Sequence, residues 1–326
     1  MSLASLFTTI ITLALLLLVG FIAGKTKIVD EVSTAKLASV TVKIGQPFLI
    51  INGMIGQERT PENIKTGLFV LLISVGMHAV MSVIAYFCAR GIKDLNERKL
   101  SEFGMIFANC GFIGFPILDA LLGDVGLFYG AFYIFGFQVI SWTWGIIILA
   151  RKRPDIKLTP KKILINFGTV PSVIGFLLFL TGVFYPANVD LFPESIRFLP
   201  DSFRSLFSYL GSLCTPLSML ITGANLARRD LKKMFTSKPV YLVNFVKLIV
   251  MPLVITTLMW LLGFSDTIVL FSAVMAALPC AAVVTMFGEM YSITPGYAAE
   301  LVGSTSILCI ATLFPMIWYA QFLVTL

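Results

Sequence analysis

Residues 107 to 116 read Phe107-Ala-Asn-Cys-Gly-Phe-Ile-Gly-Phe-Pro116, an apolar run that carries Asn109, Gly111, Gly114 and Pro116 in close succession. Proline lacks an amide donor and disfavours helix at the residue before it, and the two glycines add backbone freedom. The pattern therefore predicts an unwound stretch from Asn109 to Pro116 inside an otherwise helical segment. A second apolar run is interrupted in the same way at Leu278-Pro-Cys-Ala-Ala282, which contains Pro279 and Cys280. Half-helices beginning at Pro116 and at Pro279 would aim free amides at a common point. Two converging helix N-termini make a favourable place for a carboxylate.

The surrounding chain says where such breaks sit. Its 326 residues are 58% hydrophobic and only 13% charged, with a mean hydropathy of +0.94, whereas an average soluble domain is about 25% charged. Since a spanning helix needs roughly 20 apolar residues, the pattern predicts an all-α integral membrane protein. Its spans fall near 3–24, 33–55, 64–89, 100–123, 126–150, 160–184, 203–226, 238–262, 267–291 and 296–324. In lipid, unwound backbone survives only against protein or a watery cavity. Asn109 lies about ten residues, roughly 15 Å, from the start of its span, near mid-depth.

The formal charge of +7 could suggest nucleic acid, but the basic residues collect at the ends of apolar runs. Membrane topology explains that distribution and no nucleic-acid partner is expected. Placing the N-terminus outside puts Lys25 to Lys36, Arg90 to Lys99, Arg151 to Lys162 and Arg228 to Lys238 on the inner side. Only Arg59, Lys65, Arg197 and Arg204 then lie outside, with Lys43 and Lys247 within spans. The expectation is a multi-pass protein of the cell membrane with both termini outside. The basic linker 151–162 divides residues 1–150 from 163–326, two sets of five spans. Because five is odd, the second set must run inverted relative to the first. Pro47-Phe-Leu-Ile-Ile-Asn52-Gly53 can be laid beside Pro216-Leu-Ser-Met-Leu-Ile-Thr222-Gly223, and the two interrupted spans occupy matching places. Broken helices at corresponding positions of inverted repeats point to a transporter site near the bilayer midplane.

The segment Asn109-Cys-Gly-Phe-Ile-Gly-Phe-Pro116, the Leu278-to-Ala282 break and the ten-span inverted layout resemble the auxin efflux carrier family. That family includes bacterial carriers for malate and malonate and the plant auxin exporters. The resemblance implies an architecture akin to bile-acid symporters and sodium/proton antiporters. The first, second, sixth and seventh spans would form a scaffold that often dimerises, which implies a homodimer. The third to fifth and eighth to tenth would form a transport domain moving elevator-fashion, with the two broken spans crossing at the substrate. Asn109, Pro116 and Pro279 carry over as crossover residues. The central loop is short, unlike the long hydrophilic loop of the plant exporters, which favours a compact microbial carrier.

Other polar residues at depth complete the candidate site. Because an unpartnered amide at mid-membrane is unfavourable, Gln138 is expected either to contact substrate or the crossover or to hydrogen-bond a neighbouring helix, and Asn52, which follows Pro47, is a candidate to line the scaffold side of the site. Lys247 is a candidate countercharge to an anionic substrate or a partner of Glu300, against a snorkelling alternative that also covers Lys43. His78 and Glu300 are candidates for ion or proton coupling. Asp119 and Glu289 are expected at interfacial water. No dense acidic cluster favours sodium. Cys88, Cys110, Cys214, Cys280 and Cys309 lie in apolar runs without metal-ligand spacing and read as packing residues. Gly20-Phe-Ile-Ala-Gly-Lys-Thr26 is one residue short of a phosphate loop and ends a span. With one histidine and few mid-depth carboxylates, no enzyme site, metal or cofactor is expected. The expected function is secondary transport of a small organic anion, a mono- or dicarboxylate, with the lipid bilayer as the surrounding partner. The alternative is a receptor that binds the same anion without moving it.

Overall fold

A computed structural model of the chain describes residues 3–157, 159, 161, 164–185, 188, 192–228 and 237–326. Lys162, Arg229, Lys232 and Lys233, and the expected start of the sixth span, lie partly or wholly outside the described residues. Among the described residues the protein is helical and has no strand. The helices are α1 (Leu3–Lys25), α2 (Glu31–Ile55), α3 (Pro61–Ala89), α4 (Leu95–Ile106), α5 (Cys110–Ala150) and α6 (Thr169–Thr181). They continue as α7 (Phe198–Ser212), α8 (Cys214–Ala227), α9 (Lys238–Leu261), α10 (Asp266–Ala277), α11 (Val283–Met290) and α12 (Pro295–Val324). Six described segments are long and apolar enough to cross a membrane, among them α2, α3, α9 and α12.

Polar side chains set the helix starts. Asp30 accepts from the Ser33 amide at 2.7 Å, Thr60 from Asn63 at 3.0 Å, and Asp94 from Asn96 and Glu97 at 2.9 and 2.8 Å. Each satisfies amides that the first turn leaves without partners. The expected start of the sixth span near 160 lies outside the described residues; the helix described there opens at Thr169, where Asn166 Oδ1 accepts from the Gly168 and Thr169 amides. It stops at Gly182, whose φ of 66° suits glycine. The expected fourth span is divided between α4 and α5, and its second part runs on into the fifth as one helical run, α5, turned by a corner at Gly123 with φ 60° and ψ −145°. The seventh starts earlier than expected and is divided at Leu213 into α7 and α8.

Packing sorts the helices into neighbourhoods. α1 lies along α8, and α2 packs on α6 and α7. α3 packs on α4 and α5, α9 on α10 and α12, and α4 touches α9, α11 and α12. Small residues allow the α1–α8 approach: a Cβ at Gly24 would fall 2.8 Å from the Ala224 backbone, and one at Gly223 would strike the Leu17 carbonyl. Close backbone approach through small residues is how helices associate where no hydrophobic force drives them together.

Candidate functional site

The two interruptions meet. Asn109 N–H donates to the Pro279 carbonyl and Ala281 N–H donates to the Phe107 carbonyl, both at 2.9 Å, so that Ala108 and Cys280 face each other as an antiparallel bridge. Backbone that has left the helix in each segment is thus satisfied by the other, which removes the cost of unpaired amides in an apolar interior.

This geometry corrects both expected boundaries. The unwound stretch is residues 107–109, and the second half-helix begins at Cys110, not at Pro116. Gly111 and Gly114 are wound into a π turn, Cys110–Gly114, with the Asn109 carbonyl accepting from Ile113 and Gly114 at 3.2 and 3.3 Å. Pro116 follows two residues after that turn. A wider turn moves the upstream carbonyl out of the way of the proline ring, so the helix runs through the proline at which the sequence pattern would have it begin. On the other side α11 begins at Val283, not at Pro279. The Pro279 carbonyl and the Ala281 amide belong to the bridge, and Cys280 N–H donates to Thr305 Oγ1 at 3.1 Å. Neither half-helix start has a capping side chain. Two sets of first-turn amides are therefore left near one buried point.

Several buried polar groups surround that point without hydrogen-bond partners. Lys247, in the π turn Val246–Val250 of α9, has 0% of its surface exposed, and its Nζ bonds to nothing. It interacts electrostatically with Cys110, Cys280, Cys309 and His78. His78 is 1% exposed and packs against the rings of Phe107, Tyr133 and Phe137 at 5.4 to 5.9 Å. Its Nδ1 lies 2.6 Å from the Ser74 carbonyl, so Nδ1 carries the proton of the neutral ring and Nε2 is an unpartnered acceptor. Tyr133 Oη, on the ring that packs against His78 and interacts electrostatically with Cys110, is also unpartnered. Unsatisfied buried groups cost about 1–3 kcal/mol each, and their concentration at one place marks a site built for something that brings its own polar atoms.

The sequence profile of the membrane transport protein family, the auxin efflux carrier-like permeases, matches residues 5–317. The chain belongs to this family. It is also similar to an uncharacterized transporter of Methanocaldococcus jannaschii, with 23% identity over 228 residues that cover 68% of this chain and 70% of that one.

In this transporter the other candidate residues are spread more widely than the crossing. Gln138 is 7% exposed and seated against Gly168 at the start of α6; any side chain at Gly168 would collide with its amide. The structure gives it no hydrogen bond to the crossing. Asn52 is half-buried on α2 beside Gly53, which abuts Phe115, Leu127 and Ala131 of α5. Glu300 does not pair with Lys247. It lies in the second turn of α12, where it interacts with Glu97 and Tyr297, because it is too close to the helix start to reach mid-depth. Asp119 and Glu289 are exposed, and Pro116 and Asp119 line an open pocket of about 530 Å³ with Thr8, Thr9 and Ala120.

Reading the sequence missed Thr305, Ser304, Asn244 and Tyr133. Ser304 Oγ donates to Asn244 Oδ1 at 2.9 Å, joining α12 to α9 beside Lys247. The traces of this in the sequence are the run Ser304-Thr305-Ser306 midway along one apolar helix and the amide Asn244 three residues before Lys247 in another. At the end of α5, Arg151 Nη1 lies 2.6 Å from Glu102 Oε2. In the loop beyond, Arg153 donates to Asp155 at 2.7 and 2.8 Å and to the Tyr291 carbonyl at 3.0 Å, and this fork holds the Asp155 carboxyl below its ordinary range.

Proposed function

We propose that this protein is a secondary transporter of a small organic anion, a mono- or dicarboxylate, and that the carboxylate binds at the crossing. The observation that carries the reading is Lys247: a lysine with zero exposure and no partner, set beside two uncapped half-helix starts. An isolated buried ammonium is costly, and an anion shared between it and the first-turn amides of α5 and α11 offsets that cost. Asn109 would orient the carboxylate, and Asn52 and Gln138 would meet the substrate or the moving surface from the α2 and α6 sides.

The same reading makes the chain ten spans in two inverted sets of five, with both termini outside. α4 with the first part of α5 forms the broken fourth span, and α10 with α11 the broken ninth. α1, α2 and α6 to α8 would be the scaffold, through which two copies would associate, and the remaining helices would be the moving domain. Two features support the division. The close glycine contacts of α1 with α8 suit a rigid scaffold, and the hydrogen bonds that hold the crossing join only α4, α5, the α10–α11 break and α12.

The test is carboxylate counterflow in proteoliposomes, run with malate, malonate and an aromatic monocarboxylate. Wild-type protein exchanges at least one of them, and Asn109→Ala and Pro279→Ala lower that exchange at least tenfold while folding normally. Full exchange in both variants removes the crossing from the mechanism, and saturable binding without any exchange assigns the chain to a receptor.

A further inference from the structure

We propose that Lys247 is the proton site of this transporter: a proton loads onto Nζ together with the carboxylate on one side of the membrane and leaves with it on the other. The inference rests on the reading of the crossing as a carboxylate site and adds the coupling ion to it.

The surroundings of Lys247 carry the argument. The π turn that holds it packs against α4, α10 and α12. The titratable groups acting on it are Cys280 from the α10–α11 break, Cys110 from the start of α5 and Cys309 from α12, with His78 facing it from α3. None is a carboxylate. The carboxylates on the neighbouring helices stand elsewhere: Asp266 opens α10 at its far end, Glu97 lies in the first turn of α4, Glu102 is bonded to Arg151, and Glu300 is near Glu97. His78 presents a bare Nε2 and supplies no negative charge.

An unpaired ammonium carried through a low-dielectric interior costs several kcal/mol, whereas an ammonium beside a carboxylate does not bear that cost alone. The loaded domain therefore crosses as a carboxylate and an ammonium together. The empty domain crosses once Nζ has returned its proton to water, since no fixed anion remains to hold it. The chemistry is a proton transfer from water to the lone pair of a neutral amine and back, with no bond of the substrate changed. Each cycle carries one anion and one proton in the same direction, which leaves a monocarboxylate cycle electrically neutral and a dicarboxylate cycle with one net negative charge.

The experiment uses the full chain in proteoliposomes with a pH-sensitive dye inside, the membrane voltage clamped at zero with valinomycin and potassium, and malonate as the first probe, followed by the carboxylate panel. Protein-free vesicles correct for leak of the protonated acids. Inward flow of the transported carboxylate should acidify the lumen, and an acid exterior should drive accumulation of about tenfold per pH unit. Lys247→Gln should lose lumen acidification and the response to the pH gradient. Lys247→Arg, which cannot release its proton, should lose net uptake at least tenfold more than it loses exchange. Wild-type uptake without acidification and without response to pH overturns the proton role and leaves the transport reading standing. Absence of exchange with every carboxylate overturns both. The wild-type arms decide the matter even if neither variant folds.

Discussion

Thr305 joins two functions in one hydroxyl: it donates to the Leu301 carbonyl at 2.6 Å and accepts from the Cys280 amide at 3.1 Å. Without that acceptor the Cys280 N–H, in a segment with no exposure, would stand unpaired. Thr305→Val keeps the shape and removes the acceptor, so it should destabilise the protein by about 1–3 kcal/mol. Thermal unfolding in detergent should show a lower midpoint, restored by Thr305→Ser. An unchanged midpoint would mean that the Cys280 amide has another partner. The residue also shows where legibility ended. Asn109, Pro279 and Cys280 could be found because proline, glycine and a lone amide stand out against an apolar run. Thr305 and Tyr133 could not, because a hydroxyl on a membrane helix is ordinarily satisfied within its own helix. Only the fold brings Thr305 and Tyr133, from other helices, to the crossing.

Three helices share one device. Each of the π turns Thr41–Gly45, Cys110–Gly114 and Val246–Val250 is followed two residues later by a proline, Pro47, Pro116 and Pro252. The extra residue in the turn absorbs the missing amide and the ring clash that would otherwise kink the helix. The sequence announces the proline and gives no sign of the wide turn, which is why its pattern predicts an unwound stretch from Asn109 to Pro116 and the break lies at 107–109. In Pro116→Ala the helix is free to return to α winding, which turns the preceding residues by roughly 100° per residue gained or lost. Exchange of carboxylate should then fall at least tenfold with no loss of thermal stability. A fall in stability with unchanged exchange would instead make the proline a packing residue. The α1–α8 contact gives a second test at this scale. Gly223→Val places a Cβ against the Leu17 carbonyl and should cost about 1–3 kcal/mol by overpacking, whereas Gly76→Ala, with nothing within 4 Å, should move the unfolding midpoint far less.

At the scale of the whole molecule, the proposed ten crossings exceed the six that helix length shows, because that reading makes each broken helix half a span: α4 and α10 have 12 residues and α11 has 8. The charges recover what length hides. Two ties join turns in pairs: Arg153 donates to the Tyr291 carbonyl at 3.0 Å, joining the central linker to the end of α11, and Arg228 donates to the Val29 carbonyl at 3.1 Å, joining the end of α8 to the α1–α2 turn. In the proposed arrangement of ten crossings with both termini outside, these turns would lie in the cytoplasm, in accord with the positive-inside rule. That arrangement can be checked without knowing the substrate. Lys93 and Lys157 are exposed in turns assigned to the inner face, and Arg59 and Thr325 are exposed at the opposite ends of the helices. In a background with the native cysteines replaced, a membrane-impermeant maleimide applied to intact cells should label Arg59→Cys and Thr325→Cys. It should label Lys93→Cys and Lys157→Cys only after permeabilisation. The reverse pattern would invert the whole molecule in the membrane. Labelling of Lys93→Cys and Lys157→Cys from opposite sides would break the alternation between the third and fifth crossings, and with it the matching of the two broken helices as inverted partners.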